Sequence, residues 1–276
     1  MTLDKLLRAA GLPWLEARML AERAFDMNAV TIAANLRTAI SPADAEKFEA
    51  LAARRRHGEP VAYILGEREF HGRSFIVTPD VLIPRPETEL LCEAVLERLS
   101  AAKAGEGAAI LDLGTGSGAI AVTLACERPD ISVTAVDVSS AALAVARVNA
   151  ARLNVTARIH FVQSDWFSEL GGARFDIIVS NPPYVTEGDT HLATGDLRFE
   201  PRLALLGGAD GMTALRQIAR NAPAYLGPHG WLLFEHGWTQ GDECRKALST
   251  NGFDGIITIR DLNRHDRVTL GQLRAK

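Results

Sequence analysis

The sequence is poor in cysteine, and its few cysteines lie far apart. Only three occur among 276 residues, at Cys92, Cys126 and Cys244. This spacing fits neither a thiolate metal site nor a redox pair. All three fall in segments with helical patterns, so we expect buried thiols with a packing role only. The cysteines therefore give no indication of a metal site.

A long apolar run and an excess of positive charge are also lacking. No uninterrupted apolar segment is long enough to span a bilayer, and Met1 to Lys5 shows no signal-peptide pattern. We therefore expect a cytoplasmic protein with no membrane partner. Lysine and arginine number 30 against 34 aspartates and glutamates, which gives a formal net charge of -4. This balance argues against a general nucleic-acid coat, and we expect no stable nucleic-acid binding.

The N-terminal part of the chain shows helical patterns as far as about residue 60. Ser41 and Pro42 predict the start of a helix that ends at Arg54-Arg55-Arg56. Cations at a helix C-terminus interact favourably with its dipole, which favours a solvated helix end over contact with an acidic partner. Residues 1–62 are therefore predicted to form a helical bundle.

A change of pattern follows this bundle. Two short runs, from Tyr63 to Phe70 and from Phe75 to Val77, flank a turn at His71-Gly72-Arg73 and predict a β-hairpin. We predict that residues 63–84 form this hairpin linker and that residues 85–276 form a larger domain.

From residue 108 onward, strand and helix patterns alternate, which is typical of a parallel sheet covered by helices. The predicted strands are 109–113, 132–136, 158–162, 175–179, 231–235, 256–260 and 267–270. The predicted helices are 118–127, 139–152, 213–225 and 240–249. We therefore predict an α/β, Rossmann-like fold. The segment 185–212 is long and irregular, as functional loops often are.

Polar residues follow four consecutive predicted strands. The four ends carry Asp112-Leu113-Gly114-Thr115-Gly116-Ser117-Gly118, then Asp137, then Ser164-Asp165-Trp166, then Asn181. Ligands of open parallel sheets bind at the carboxyl ends of the strands. We therefore predict that these residues share one site.

The glycine loop and Asp137 predict a cofactor that carries a ribose. Gly114, Gly116 and Gly118 permit a tight turn and close approach of backbone to a ligand. An acid about 20 residues further on holds ribose hydroxyls, either of a dinucleotide or of an adenosyl compound. Asp165 could accept from an adenine amine and Trp166 could wall its ring, although core packing would also explain the tryptophan.

The turn Asn181-Pro182-Pro183-Tyr184 predicts a rigid site for a planar NH2 group. Prolines donate no backbone hydrogen bond and restrict the preceding residue to extended geometry. The Asn181 side-chain oxygen and a free carbonyl could hold both hydrogens of an amide or of an exocyclic amine, and Tyr184 offers a flat face. A proline-rich surface turn is the alternative. Beside an adenosyl site, the turn favours methyl transfer from S-adenosylmethionine to nitrogen.

Four stretches carry a family resemblance. They are Ile83-Pro84-Arg85-Pro86, Asp112 to Gly118, Asn181 to Tyr184, and Phe199-Glu200-Pro201. Together they resemble the glutamine methyltransferases that modify class 1 peptide chain release factors, and the resemblance covers essentially the whole chain. Asn-Pro-Pro-Tyr alone also occurs in DNA adenine amino-methyltransferases, so the other stretches narrow the substrate.

The resemblance implies methylation of the glutamine side-chain nitrogen in the Gly-Gly-Gln motif of a release factor, with S-adenosylhomocysteine as the product. It implies a class I methyltransferase sheet of seven strands, mostly parallel with the last antiparallel, and an N-terminal bundle that recognises the substrate protein. The expected catalytic residues are Asn181, Pro182 and Tyr184. The expected cofactor-binding residues are Asp112, Gly114, Thr115, Gly116, Ser117, Gly118, Asp137, Asp165, Trp166 and Asn181. The expected substrate-binding residues are Asn181, Pro182, Pro183, Tyr184, Arg85, Glu200 and Pro201.

Three other readings stay open on the residues alone. A DNA adenine methyltransferase would need a basic groove and a base-reading module, which a chain of net charge -4 does not suggest. A nicotinamide-dependent oxidoreductase would leave the Asn181 turn without a role. A non-catalytic module that keeps an adenosyl site would bind proteins through its N-terminal part.

Overall fold

The computed structural model describes residues 1–101 and 107–275. The chain divides into two units. One contains Met1–Glu67 together with His191–Phe199, and the other contains Arg68–Thr190 together with Glu200–Lys276. Among the described residues, no helix is both long and apolar enough to cross a bilayer.

The N-terminal unit is built from five helices around a small apolar core. Its helices are α1 (Leu3–Ala9), α2 (Trp14–Phe25), α3 (Ala29–Ala34), α4 (Pro42–Arg56) and α5 (Val61–Leu65). Leu7, Leu20, Ile32 and Phe48 are almost fully buried in this core. Helix α4 begins as the sequence predicts, because the Ser41 hydroxyl accepts from the backbone N–H of Asp44 at 3.1 Å.

The arginines that end α4 are paired with carboxylates of the same unit. Arg54 pairs with Glu59, Arg55 with both Glu16 and Asp196, and Arg56 with Glu49. The predicted solvated helix end is thus a set of ion pairs, in which Arg55 is the most buried of the three arginines at 18% side-chain exposure.

The hairpin forms, but the prediction of extended chain at Tyr63 was wrong. Residues Val61–Leu65 are helical, and Gly66 ends the helix in the left-handed conformation with a φ of 77°. The strands are β1 (Glu67–Phe70) and β2 (Arg73–Ile76). His71 and Gly72 between them both have positive φ, as a two-residue type I′ turn requires. Tyr63 and Ile64 are buried on the helix, so their apolar run served helix packing.

The larger unit is a seven-stranded sheet with helices on both faces. Its strands are β3 (Ala109–Leu113), β4 (Ser132–Asp137), β5 (Ile159–Gln163), β6 (Phe175–Ser180), β7 (Leu226–Glu235), β8 (Phe253–Arg260) and β9 (Asp266–Leu273). Its helices are α6 (Pro86–Ala101), α7 (Ala119–Glu127), α8 (Ser140–Arg152), α9 (Arg202–Leu205), α10 (Thr213–Asn221) and α11 (Gly241–Thr250). The strand order is β5-β4-β3-β6-β7-β9-β8.

The sheet has the predicted topology. Neighbouring strands from β5 to β7 in this order pair in parallel, and β9 pairs antiparallel with both β7 and β8. Several predicted bounds differ. Strand β7 begins at Leu226 and β8 at Phe253, both earlier than predicted, Arg158 belongs to a 3-10 turn, and α10 ends at Asn221 before a 3-10 turn that contains Pro223. The mostly parallel seven-stranded fold is therefore confirmed.

Alternate residues of the central strands feed two separate apolar cores. Ile110 and Ile177 join the core on the side of α6, α7 and α8, whereas Leu111 and Ile178 join the core on the side of α10 and α11. Burial on both faces explains why β3 and β6 read as continuous apolar runs. Parallel pairing of the central strands places their carboxyl ends at one edge of the sheet, where the site lies.

Candidate functional site

A cavity of about 450 Å³ opens in the larger unit at the carboxyl ends of the central strands. It brings together most of the predicted site. The predicted residues that line it are Arg85, Gly114, Thr115, Gly116, Ser117, Asp137, Asp165, Trp166, Asn181, Pro183 and Pro201. Asp112, Gly118, Pro182, Tyr184 and Glu200 lie outside its lining. The four strand ends thus meet at one place.

The glycine loop between β3 and α7 is a left-handed turn held by β4. Gly114, Gly116 and Gly118 have φ values of 73°, 56° and 80°, which are costly for residues with a Cβ. The Gly114 N–H donates to the Val136 carbonyl at 2.8 Å. A Cβ on Gly118 would lie 3.1 Å from the Ala146 Cβ, so this glycine lets α7 approach α8 closely.

Asp112, the penultimate residue of β3, is a fully buried carboxylate with one oxygen in use. Its Oδ2 accepts from the Thr115 hydroxyl at 2.7 Å and from the Ala121 N–H at 3.2 Å. Its Oδ1 has no hydrogen-bond partner among the described residues. Burial raises the pKa of Asp112 to about 7, against the effect of these two donors. A buried carboxylate with an unused oxygen favours a cationic or hydrogen-donating ligand nearby.

Asp137 ends β4 and organises both neighbouring turns. Its Oδ2 accepts from the Gly116 N–H and its Oδ1 from the Ser139 N–H, each at 2.9 Å. Burial raises the pKa of Asp137, while these backbone donors oppose the shift. Both oxygens keep lone pairs that a hydroxyl on the cavity side could use.

Asp165 and Trp166 follow β5 and wall another side of the cavity. Trp166 takes a positive φ of 51°, and the Ser164 hydroxyl, which donates to the Trp166 carbonyl at 3.1 Å, holds that turn. The indole lies across from the glycine loop: a Cβ on Gly114 would sit 3.8 Å from it. Trp166 therefore combines packing with a flat face on the cavity.

Asn181 follows β6 and is held by a chain of hydrogen bonds. Its Nδ2 donates to the Thr88 hydroxyl at 3.0 Å, and that hydroxyl donates to Glu235 Oε2 at 2.6 Å. The Tyr184 hydroxyl donates to Glu235 Oε1 at 3.0 Å. Burial and the Glu235 charge both raise the pKa of Tyr184. Tyr184 is thus anchored by its hydroxyl beside β7.

Arg85 and Glu200 form an ion pair next to the cavity. The Glu200 side chain is fully buried, whereas that of Arg85 is 30% exposed. Glu200 also accepts from the Ile83 N–H at 3.2 Å. Arg85 and Pro201 line the cavity, whereas Glu200 lies outside the lining and pairs with Arg85. Two of the four stretches that carry the family resemblance, the one at Arg85 and the one at Glu200, are therefore joined.

Sequence reasoning missed Thr88 and Glu235. Glu235 is the last residue of β7 and is buried, so the carboxyl-end rule applied to a fifth strand would have found it. Thr88 lies in the first turn of α6 and gave no signal. Another wall of the cavity comes from residues 203–208 of the irregular stretch and from the start of α10; the sequence marked that stretch as a functional loop but named no site residue in 203–214.

Comparison with known proteins gives two family matches. The family model described as "Methyltransferase small domain" matches residues 87–200, and the model described as "PrmC N-terminal domain" matches residues 3–66. Among solved structures, a methyltransferase from Pyrococcus furiosus superposes with a TM-score of 0.54 at 17% identity, covering 80% of this chain and 97% of that one. A ribosomal protein L11 methylase from Lactobacillus delbrueckii subsp. bulgaricus gives 0.51 at 20% identity, covering 72% and 84%. These two likenesses show the fold.

The similar curated sequences are much closer. A release factor glutamine methyltransferase of Neisseria gonorrhoeae is 49% identical over 99% of this chain and 98% of its own length. Another from Bordetella pertussis is 49% identical over 99% of this chain and all of its own length. Agreement of this extent reaches both units, and the chain belongs to the release factor glutamine methyltransferase family.

Proposed function

We propose that the protein transfers a methyl group from S-adenosylmethionine to the side-chain amide nitrogen of the glutamine in the Gly-Gly-Gln motif of class 1 peptide chain release factors. One observation carries the acceptor half of this proposal. Asn181 lines the cavity while its Nδ2 is engaged by Thr88. Its Oδ1 is therefore the end that can accept a hydrogen from a substrate amide. Family membership supports the substrate class.

The donor half of the cavity fits S-adenosylmethionine. The unused Asp112 Oδ1 would compensate its ammonium group, directly or through a water molecule, and Asp137 would accept from the ribose hydroxyls. Asp165 and Trp166 would contact the adenine, and the glycine loop lets the backbone approach closely. When bound, the sulfonium supplies an activated methyl group, and S-adenosylhomocysteine remains as the product.

At the acceptor side, Asn181 Oδ1 and the Pro182 carbonyl would take the two hydrogens of the glutamine NH2 group. This fixes the nitrogen, whose lone pair is otherwise delocalised into its own carbonyl, in line with the methyl group. The same two oxygens stabilise the positive charge that develops on nitrogen. The methylated nitrogen can lose its proton to a carbonyl or to water, so no dedicated base is assigned.

The other turn and pocket residues would position the glutamine. Pro183 lines the cavity, and Tyr184 lies outside its lining. We propose that the Tyr184 ring meets the flat amide at the turn, held there by its bond to Glu235. Arg85 and Pro201 would contact the peptide around the glutamine, with Glu200 fixing the guanidinium of Arg85.

The N-terminal helical unit would recognise the body of the release factor. It displays apolar side chains to solvent, with Trp14 at 45%, Leu15 at 57% and Val30 at 78% exposure. Exposed apolar groups of this size are typical of protein contacts. We further propose that the enzyme acts in the cytoplasm, where translation ends, and that it binds neither membrane nor nucleic acid stably.

The decisive experiment measures transfer of labelled methyl from S-adenosylmethionine to purified release factor, to duplex DNA, and to a release factor whose Gly-Gly-Gln glutamine is replaced by asparagine. We expect label only in the unaltered release factor. Label in DNA and none in protein would overturn the substrate. Asn181→Ala should reduce the rate by about 10²- to 10³-fold, as removal of one transition-state hydrogen bond does elsewhere.

Cofactor choice is tested separately by calorimetry. S-adenosylmethionine should bind the full chain and NAD should not. Asp137→Asn should weaken binding of the adenosyl compound, whereas Asp130→Asn, which changes an exposed acid paired with Arg128, serves as a matched control. Tight NAD binding without sulfonium binding would overturn the donor assignment.

A further inference from the structure

We infer that Thr88 and Glu235 are positioning residues that decide which end of the Asn181 amide faces the glutamine, an assignment that rests on the proposed methyl transfer at that amide. Neither residue belongs to the stretches by which the sequence resembled its family. Both are buried, with exposures of 4% for Thr88 and 1% for Glu235. Neither would be needed for the cofactor contacts proposed above.

Hydrogen-bond direction carries the assignment. An asparagine amide has an accepting end and a donating end of nearly equal size, so packing alone does not choose between its two orientations. Methyl transfer requires the accepting end, because the substrate nitrogen presents two hydrogens. A donating NH2 group in the same place would oppose those hydrogens. Something beyond shape must therefore set the orientation of Asn181.

Thr88 sets it because a hydroxyl has only one hydrogen to give. The Thr88 oxygen lies 2.6 Å from Glu235 Oε2, and a carboxylate can only accept. The Thr88 hydrogen is thus committed to Glu235, and the oxygen can only accept from Asn181. The amide nitrogen, 3.0 Å away, satisfies it, and Oδ1 is turned elsewhere. Glu235 thereby orients Asn181 through Thr88.

Glu235 is well placed to remain an acceptor. Tyr184 donates to its Oε1 at 3.0 Å, so both oxygens face donors. Burial raises the pKa of Glu235, whereas the bonds from Thr88 and Tyr184 and the charge of Arg267 favour its ionised form. The carboxylate also joins three elements at one point: α6 through Thr88, the turn after β6 through Tyr184, and β7, which carries Glu235 itself.

The test compares Thr88→Val with Thr88→Ser in the full-length enzyme. Valine keeps the shape of threonine and removes the hydroxyl, whereas serine keeps the hydroxyl. We expect Thr88→Val to lower kcat by about 10-fold or more, with the Kd of S-adenosylmethionine unchanged. Thr88→Ser should keep most of the wild-type kcat. Wild-type kcat in a folded Thr88→Val enzyme would overturn the assignment.

A double variant tests whether Glu235 orients Asn181 through Thr88, an arrangement called the relay here, or only anchors Tyr184. If Glu235 acts through Thr88, the kcat of Thr88→Val/Glu235→Gln should be no lower than that of Thr88→Val alone. If Glu235 instead only anchors Tyr184, Tyr184→Phe should reproduce the loss seen in Glu235→Gln, and the losses of the double variant should multiply. The second pattern would overturn the relay.

A readout without substrate keeps this assignment distinct from the proposed function. The side-chain NH2 signal of Asn181 in a 15N-labelled protein, identified by its loss in Asn181→Asp, should exchange slowly with solvent in wild type and in Thr88→Ser. It should exchange fast in Thr88→Val. Slow exchange in an enzyme that fails to methylate release factor would remove the proposed function and support the relay. Fast exchange in wild type would overturn the relay whatever the substrate.

Discussion

Glu200 accepts a hydrogen bond from the backbone N–H of Ile83, with 3.2 Å between nitrogen and Oε2, across 117 positions of the chain. The same carboxylate pairs with Arg85, and its side chain is fully buried. Glu200 therefore serves the Ile83-Pro84-Arg85-Pro86 segment as a whole. It accepts from the N–H of Ile83, in a segment where Pro84 and Pro86 have no N–H of their own, and it holds the Arg85 guanidinium at the cavity wall.

We predict that Glu200→Gln lowers the free energy of unfolding of the larger unit by about 1–3 kcal/mol, because the Arg85 charge loses its partner while one amide oxygen can still accept. Denaturant unfolding followed by circular dichroism measures this loss. Glu97→Gln is the matched control, since the Glu97 side chain is 69% exposed and should change stability little. Equal effects of the two changes would contradict the structural role of Glu200.

Gly118 is predicted to be the least replaceable glycine of the loop. Gly118→Ala would bring a Cβ to 3.1 Å from Ala146 Cβ at a φ of 80°. Gly116→Ala imposes a similar backbone strain at a φ of 56°, and its Cβ would meet nothing within 4 Å. Each positive φ costs on the order of 1 kcal/mol, so the difference between the variants isolates the helix contact. Thermal unfolding without cofactor should show the larger loss for Gly118→Ala.

The parts of the site that the sequence predicted are those where function needs a residue type at a fixed spacing. Positive φ at Gly114, Gly116 and Gly118 favours glycine. Asp137 is recognisable in the sequence because it is a polar residue directly after an apolar run. The sheet was predictable because β3 and β6 are buried on both faces. These signals are local, so a single sequence carries them.

The parts that it missed depend on contacts between distant positions. Thr88 and Glu235 are 147 positions apart, and nothing near Thr88 marks it as a partner of Asn181. The Tyr63 run was read as strand because apolar residues alone do not distinguish a short buried helix from a strand. The Tyr184 hydroxyl donates to Glu235, 51 positions away, and nothing near Tyr184 in the sequence marks this contact. Tertiary packing decided each of these cases.

Arg55 is predicted to stabilise the N-terminal unit more than its neighbour Arg54. It contacts Glu16 and Asp196 at 2.7 Å each with 18% side-chain exposure, whereas Arg54 is 45% exposed. Arg55→Met keeps the apolar stem and removes the charge, which leaves two carboxylates without their partner. Hydrogen exchange at the amides of α2 and α4 should speed up markedly in Arg55→Met. Exchange in Arg54→Met should stay near the wild-type rate.

Asp112 is predicted to make the cofactor-free enzyme less stable as the pH rises. Its pKa is raised to about 7 in the folded protein, whereas an aspartate in an unfolded chain titrates near about 3.9. Between these values the folded state holds the proton and the unfolded state does not. The free energy of unfolding therefore falls as the pH climbs through this window, and the fall ends above the folded pKa.

Asp112→Asn removes this titration, so its stability relative to wild type should improve from pH 5 to pH 8. Thermal unfolding without S-adenosylmethionine, measured at each pH, checks the trend. Asp130→Asn is the control: a hydrogen bond from Arg128 lowers the pKa of Asp130, so its contribution is lost only as the pH falls through that lowered value, and the difference from wild type should stay constant across the tested range. Parallel curves for Asp112→Asn and wild type would show that Asp112 is ionised throughout, with its charge compensated inside the fold.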